Sequence, residues 1–180
     1  HAYPNAIRPV LEIIKKEEGV TRIAAASIML SKQGPIFLSD ATINIDPSAA
    51  DLANIALLTA KAVKFFGLEP SVAMLSYSNF GSATSESTLK VREAVAYLHK
   101  HHPDLVVDGE IQADFALNPD KIAKTYPFSK LNNGKGANAL IFPNLEAANI
   151  SYKLLKETQH LDTIGPVIMG LTKPIHITTI

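Results

Sequence analysis

Apolar residues recur along this chain with two alternating periods, one helical and one extended. Over residues 5–18, Ile7, Val10, Leu11 and Ile14 fall at i, i+3, i+4 and i+7, which predicts a helix that Gly19 ends. Residues 23–30 and 35–38 are β-rich runs. Lys32, Gln33 and Gly34 between them predict a hairpin. Ser48 and Asp51 have the spacing of a capping box and open a helix running to Phe66. Its inward stripe would be Leu52, Ile55, Ala56, Thr59, Val63 and Phe66, with Gly67 as the stop.

Residues 72–75 read as a short buried strand that enters a polar loop, Ser76 to Ser82. A helix follows to about Lys100, with Val91, Ala94, Val95 and Leu98 inward, and then a strand over 105–107. Asn118 and Pro119 predict the start of a short helix, because proline fits the first helical position. Residues 137–142 read as a strand, and Asn144 caps a helix with Leu145, Ala148, Asn149 and Tyr152 on one face. Strands over 164–169 and 175–177 close the pattern. Repeated strand–helix alternation predicts an α/β three-layer sandwich, a mostly parallel sheet with helices on both faces.

Composition narrows the chemistry. The 180 residues suffice for one full core. Seventeen basic residues balance seventeen acidic ones, so no net field draws nucleic acid or an anionic membrane. Only Arg8, Arg22 and Arg92 are arginines, so an anion site here would draw on lysines and backbone amides. The absence of cysteine removes disulfides, thiolate nucleophiles and Cys-ligated zinc. A hydrophobic fraction of 47% argues against disorder, and no apolar run is long enough to span a bilayer. There is no signal-peptide pattern, and a cytoplasmic location is expected. His1 in place of methionine and an apolar last residue suggest a piece of a longer protein.

Three segments carry candidate chemistry. The loop Ser76 to Ser82 lies between a strand and a helix, where hydroxyls and free helix amides suit a phosphate or carboxylate oxygen; ordinary turn and cap chemistry uses the same residues. The stretch Ser129 to Asn138 contains Gly134-Lys135-Gly136, but it leads into a strand rather than out of one. It therefore lacks the context of a dinucleotide fingerprint, and a basic loop touching an anion or a solvated turn both remain open. Asp108, Glu110 and Asp114 have a spacing compatible with Mg²⁺ ligation or with capping the helix that begins near them. His99, His101 and His102 sit at a helix end, where imidazolium favours the dipole. No G-x-S-x-G elbow anchors a serine-hydrolase triad.

Several longer runs go beyond pattern. VAMLSYSNFGS (72–82), VDGEIQAD (107–114), ANALIFPNL (137–145), NISYK (149–153), IGP (164–166) and GLTKP (170–174) resemble, in order, the conserved runs of phosphate acetyl/butyryltransferases. Ser78-Asn79-Phe80-Gly81, Tyr126-Pro127-Phe128-Ser129, Ala147 to Ser151 and Lys173-Pro174-Ile175-His176-Ile177 are similar to the acyltransferase-like C-terminal domain of large bacterial NADP-dependent malic enzymes. Free-standing transferases carry a Ser-Arg pair a few residues after the same Lys-Pro. Aligned from Lys173-Pro174, that pair falls on Thr179 and Ile180.

The resemblance implies an isocitrate/isopropylmalate dehydrogenase-like fold with two subdomains around a cleft, of which residues 1–180 match mainly the second. It implies acetyl-CoA or a related acyl-CoA as effector. Ser76, Ser78, Gly81 and Ser82 would line the cleft, and Asn138 would join Lys130 and Lys153 as ligand-binding residues. It implies no catalytic residue here, because an isoleucine cannot replace an arginine that stabilises an oxyanion. No cofactor is implied for this domain; NADP and a divalent metal would belong to the parent malic enzyme. The alternative is part of an active phosphate acetyltransferase. A homodimer or higher homo-oligomer is expected, with Tyr126 and Phe128 outside the inward stripes as candidate contacts.

Overall fold

The structure, a computed structural model, describes residues 13–173. The order of elements is β1 (Ala24–Ser31), β2 (Gly34–Ser39), α1 (Ala49–Phe65), β3 (Val72–Leu75), α2 (Glu86–His101), β4 (Val107–Ile111), α3 (Ala113–Ala116), α4 (Pro119–Thr125), β5 (Ala139–Ile141), α5 (Leu145–Gln159) and β6 (Thr163–Met169). The strands form one sheet in the order β4-β3-β5-β2-β1-β6. β4, β3, β5 and β2 run parallel, while β1 pairs antiparallel with both β2 and β6. The predicted hairpin turns on Lys32 and Gln33, with Ser31 opposite Gly34.

The alternation of side chains along each strand divides the core. Val72, Met74, Phe37, Ala139 and Ile141 face α1 and α2, whose Leu52, Ile55, Val63, Val91 and Leu98 close that side. Ala73, Leu75, Leu38 and Leu140 face the other way, onto Ala116 of α3, Ile122 of α4 and Ala148 of α5. Helices thus cover both faces. Both long helices of the first layer start at capping boxes, Ser48 with Asp51 and Ser85 with Thr88. No described helix is long and apolar enough to cross a membrane.

Several expectations change. The helix expected over 5–18 has ended by Ile13 in its described part. Lys16 instead bridges Leu171, and Glu17 N–H donates to the Gly170 carbonyl at 2.9 Å, so sheet-like pairing overrides the helical period. The helix after β3 starts only at Glu86, which lengthens the loop before it. Phe66 is the C-cap of α1 and is partly exposed rather than in the stripe, though its ring meets Phe37 edge-on at 5.6 Å. The strand expected over 105–107 lies at Val107–Ile111 and contains two buried carboxylates, which the hydrophobic pattern excludes. Helix α3 had no periodic signal. On α5 only Ala148 of the predicted face is fully buried. The strand expected over 175–177, and Thr179-Ile180, lie outside the described residues.

Candidate functional site

The carboxyl ends of the parallel strands are where open α/β sheets bind ligands. There the chain leaves β3 through Ser76 to Ser85 and bends at Phe80 and Gly81, both with positive φ (45° and 93°). Glu110 of β4, with 0% of its surface exposed, holds this loop from inside. Its Oε1 accepts from Ser78 Oγ at 2.7 Å and Gly81 N–H at 2.8 Å, and its Oε2 accepts from Arg92 Nε at 2.8 Å. Arg92 also donates to the Ala83 carbonyl. Arg92 stands about two turns into α2 from its Ser85 cap, so the guanidinium reaches Glu110 along the helix flank.

Several other loop amides are engaged as well. Asn79 N–H donates to Ser82 Oγ at 2.9 Å, Ala83 N–H to Ser78 Oγ at 3.0 Å and Phe80 N–H to the Glu110 carbonyl at 2.8 Å. Asn79 and Gln112 exchange two hydrogen bonds, at 2.8 and 2.9 Å. Of the first-turn amides of α2, Thr88 N–H is taken by Ser85 Oγ at 3.3 Å, and the concavity of the loop holds an anion of the chain itself, Glu110. Of the loop residues singled out in the sequence, Gly81 and Ser82 are exposed and Ser76 partly so, while Ser78 is buried; Tyr77 and Thr84 are exposed beside them.

The acidic trio does not converge. Asp108 accepts from Ser129 Oγ at 2.8 Å and Lys130 N–H at 2.9 Å, pinning the segment before β5. Asp114 is exposed and pairs with Lys121 at 2.7 Å, which holds its carboxyl below the ordinary range. Asp108 and Glu110 sit on a strand, so neither caps a helix. Between them, Gly109 has φ +148°, and a Cβ there would stand 2.5 Å from the Met74 carbonyl oxygen. His99 Nε2–H donates to the Val107 carbonyl at 2.8 Å, and His101 stacks on Tyr97. Among the described residues no three potential metal ligands come together.

Other predicted residues lie elsewhere. Lys130 Nζ donates to the Pro103 carbonyl at 2.9 Å, and Asn138 ties Glu69 to Ser71 with bonds of 2.8 and 2.9 Å. Both stand at the amino ends of the strands, opposite the serine loop. The Gly134-Lys135-Gly136 stretch is a turn closed on Asn133 Oδ1, at that same end. Lys153 is exposed on α5 and lines a cleft of about 550 Å³ between that helix, β1 and β6.

One buried acid had no signal in the sequence. Asp40 follows β2 and accepts from the N–H groups of Thr42 and Ile43 and from Asn44 Nδ2, at 2.8, 2.9 and 2.6 Å. Burial outweighs these bonds and raises its pKa above 3.8. The carboxylate shapes residues 41–44, and Ala41 and Thr42 reach the α5 cleft. Arg92 was equally silent, because its partner lies 18 residues away on another element.

The phosphate acetyl/butaryl transferase model matches residues 1–179. The chain belongs to this family. It is 40% identical to the phosphate acetyltransferase of Bacillus subtilis, over 98% of this chain and 54% of that protein. It is 39% identical to the NADP-dependent malic enzyme of Haemophilus influenzae, over 98% of this chain and 23% of the relative. EutD phosphotransacetylase from Staphylococcus aureus superposes with a TM-score of 0.87 at 37% identity, covering 96% of this chain and 53% of that one. The chain therefore spans about half the length of these two transferases and about a quarter of the malic enzyme. Family members of two kinds, transferases and malic enzymes, match the same stretch at near-equal identity.

Proposed function

We propose that this chain is the second subdomain of a phosphotransacetylase-like unit that serves as an acetyl-CoA-responsive regulatory and oligomerisation domain of an NADP-dependent malic enzyme, without transferase chemistry of its own. The parent protein would convert malate to pyruvate and CO2, with NADP and a divalent metal bound in its other domain. The observation that carries this reading is Thr179-Ile180 at the place of the transferases' Ser-Arg pair. Transfer between acetyl-CoA and phosphate needs a cation at the developing charge. Both arginines among the described residues are engaged, Arg92 with Glu110 and Arg22 with Asp51 at 3.4 Å. Exposed Phe128, Ile150 and Leu154 support self-association, as large apolar residues left in water commonly mark contacts.

For regulation, acetyl-CoA must bind the less active state more tightly than the active one. Ser76, Ser78, Gly81, Ser82, Lys130, Asn138 and Lys153 are its proposed ligand-binding residues. Lys153 has the most open setting of the charged ones, because Lys130 Nζ is engaged by carbonyls. The test is made on the full-length protein. Acetyl-CoA should lower malate oxidation, and no acetyl phosphate should form from acetyl-CoA and phosphate. The identity to the Bacillus subtilis enzyme favours a second reading, part of an active phosphate acetyltransferase. Acetyl phosphate production above background would establish it.

A further inference from the structure

A chain with no net charge can still have a divided surface. At the carboxyl ends of the parallel strands stand Asp46, Asp51, Glu86, Glu110, Asp114 and Glu146. The cations there are already spent: Arg22 on Asp51, Lys90 on Asp46, Arg92 on Glu110 and Lys121 on Asp114. The amino ends are basic, with Lys61, Lys64, Lys100, His101, His102 and Lys135 against Glu69 and Asp104. Helix dipoles favour this split, because α1 and α2 start at one end and finish at the other.

Two clefts open at the basic end, of about 490 and 620 Å³. Leu57, Ala60, Pro103 and Leu105 give the first an apolar lining, and Pro35, Ile36, Leu68 and Leu117 the second. Glu69, Pro70 and Val106 line both, so the two form one trough across the starts of β4, β3, β5 and β2. Neighbouring strands lie about 4.8 Å apart, so four of them span about 15 Å, the length of four or five extended residues. The walls are braced. Lys130 Nζ donates to the Pro103 carbonyl at 2.9 Å, Asn138 Nδ2 to the Glu69 carbonyl at 2.8 Å and Asn133 Nδ2 to Ser71 Oγ at 2.8 Å. A braced trough has little order left to lose on binding. Lys64 lines the first cleft and Lys135 the second, and among the described residues neither has an ion-pair partner.

We infer that this trough docks an extended acidic segment of a separate polypeptide chain, with apolar side chains in the two clefts and carboxylates at Lys64 and Lys135. Cations on an apolar bed complement a segment in which acidic and apolar residues alternate. A single nucleic-acid strand fits less well. It carries a phosphate about every 3.4 Å and would meet Glu69 between the two lysines, where a peptide can place an uncharged residue. Zero net charge leaves no long-range pull, so recognition rests on contact at this face. The docking face does not depend on either reading of the activity.

Fluorescence anisotropy of the full-length protein with a labelled Glu-Leu-Glu-Leu-Glu-Leu peptide tests this. The wild type should bind it, and Lys64→Gln/Lys135→Gln should weaken binding at least about tenfold. A Glu-Ser-Glu-Ser-Glu-Ser peptide has the same charge without the apolar side chains and should bind the wild type at least about tenfold more weakly. Both lysines are exposed, so the variant should keep the wild-type urea midpoint, which separates lost binding from lost folding. The comparison of the two peptides needs no variant. No binding by the wild type, unchanged binding by the lysine variant, or equal binding of the serine peptide overturns the assignment. A labelled oligothymidylate of six nucleotides that binds as tightly as the leucine peptide also overturns it, leaving a surface for any polyanion. So does a smaller particle in light scattering for the lysine variant than for the wild type, which would give the face to a second copy of the chain.

Discussion

The serine loop and the α5 cleft use the same kinds of residue for opposite ends. In the loop, serine hydroxyls, amides and an arginine converge on Glu110, and each finds its partner inside the protein. In the cleft, Ser27, Lys153 and Lys156 converge on open space. A loop that has internalised its own anion is held from inside and keeps only its outward groups, Gly81 and Ser82 among them, for a ligand. A cleft with unspent donors keeps its inner groups as well and gives up order. Motif content alone does not tell the two regions apart: the serine-rich run reads as an anion site, and only the fold shows Glu110 against its inner side.

The comparison breaks most directly at Glu110. Glu110→Ala strands Arg92, Ser78 Oγ and Gly81 N–H together, and removing one partner of a buried pair costs about 3–5 kcal/mol. Urea unfolding should show that loss, and a loss under about 1 kcal/mol would mean that the loop is not held from inside. Next in size is Gly109→Ala. A side chain at φ +148° against the Met74 carbonyl costs at least about 1–3 kcal/mol, read as a lower urea midpoint with an unchanged m-value.

In the open region, Lys153→Glu reverses a charge where acetyl-CoA is proposed to bind. A lost charge-assisted contact is worth about 1.5–3 kcal/mol, so acetyl-CoA should act on the full-length enzyme only at a concentration at least about tenfold higher. An unchanged response would remove Lys153 from the site.

Asp40 gives the smallest effect and sharpens the boundary between the two regions. Because the folded state raises its pKa, the stability tied to this group is present in full below pH 3.8 and is lost as pH rises through the raised value. The stability difference between the wild type and Asp40→Asn should therefore shift against the wild type over that rise. Comparing the two proteins cancels Asp46 and Asp114, which titrate with lowered values. A difference that is flat with pH would show that Asp40 titrates alike in folded and unfolded chains.

Much of the layer architecture was legible from local periodicity. The hairpin at Lys32-Gln33, the capped helix from Ser48, the strand Val72–Leu75 and the Asn118-Pro119 helix start all appear where spacing and cap residues predict them. The strand over 107–111 escaped because its carboxylates read as surface. Their burial depends on partners at 78–92 and 129–130, which no short window along the chain contains. Lys130 and Asn138, ligand-binding residues by family likeness, stand at the other end of the strands from the serine loop, a placement that no run of adjacent residues states.

By itself, then, the sequence determined the helices with their caps, the alternation that builds two core layers, and membership of the phosphate acetyl/butaryl transferase family. These follow from local spacing and from runs of adjacent residues. Only the tertiary structure decided which polar groups are spent and which are available. Glu110 and Arg92 neutralise each other across 18 residues, while Ser27 and Lys156, 129 positions apart by their numbering, share one cleft. Whether a hydroxyl or a charge is satisfied depends on what the fold brings within about 3 Å of it, and hydrogen-bond reach is set in space rather than along the chain.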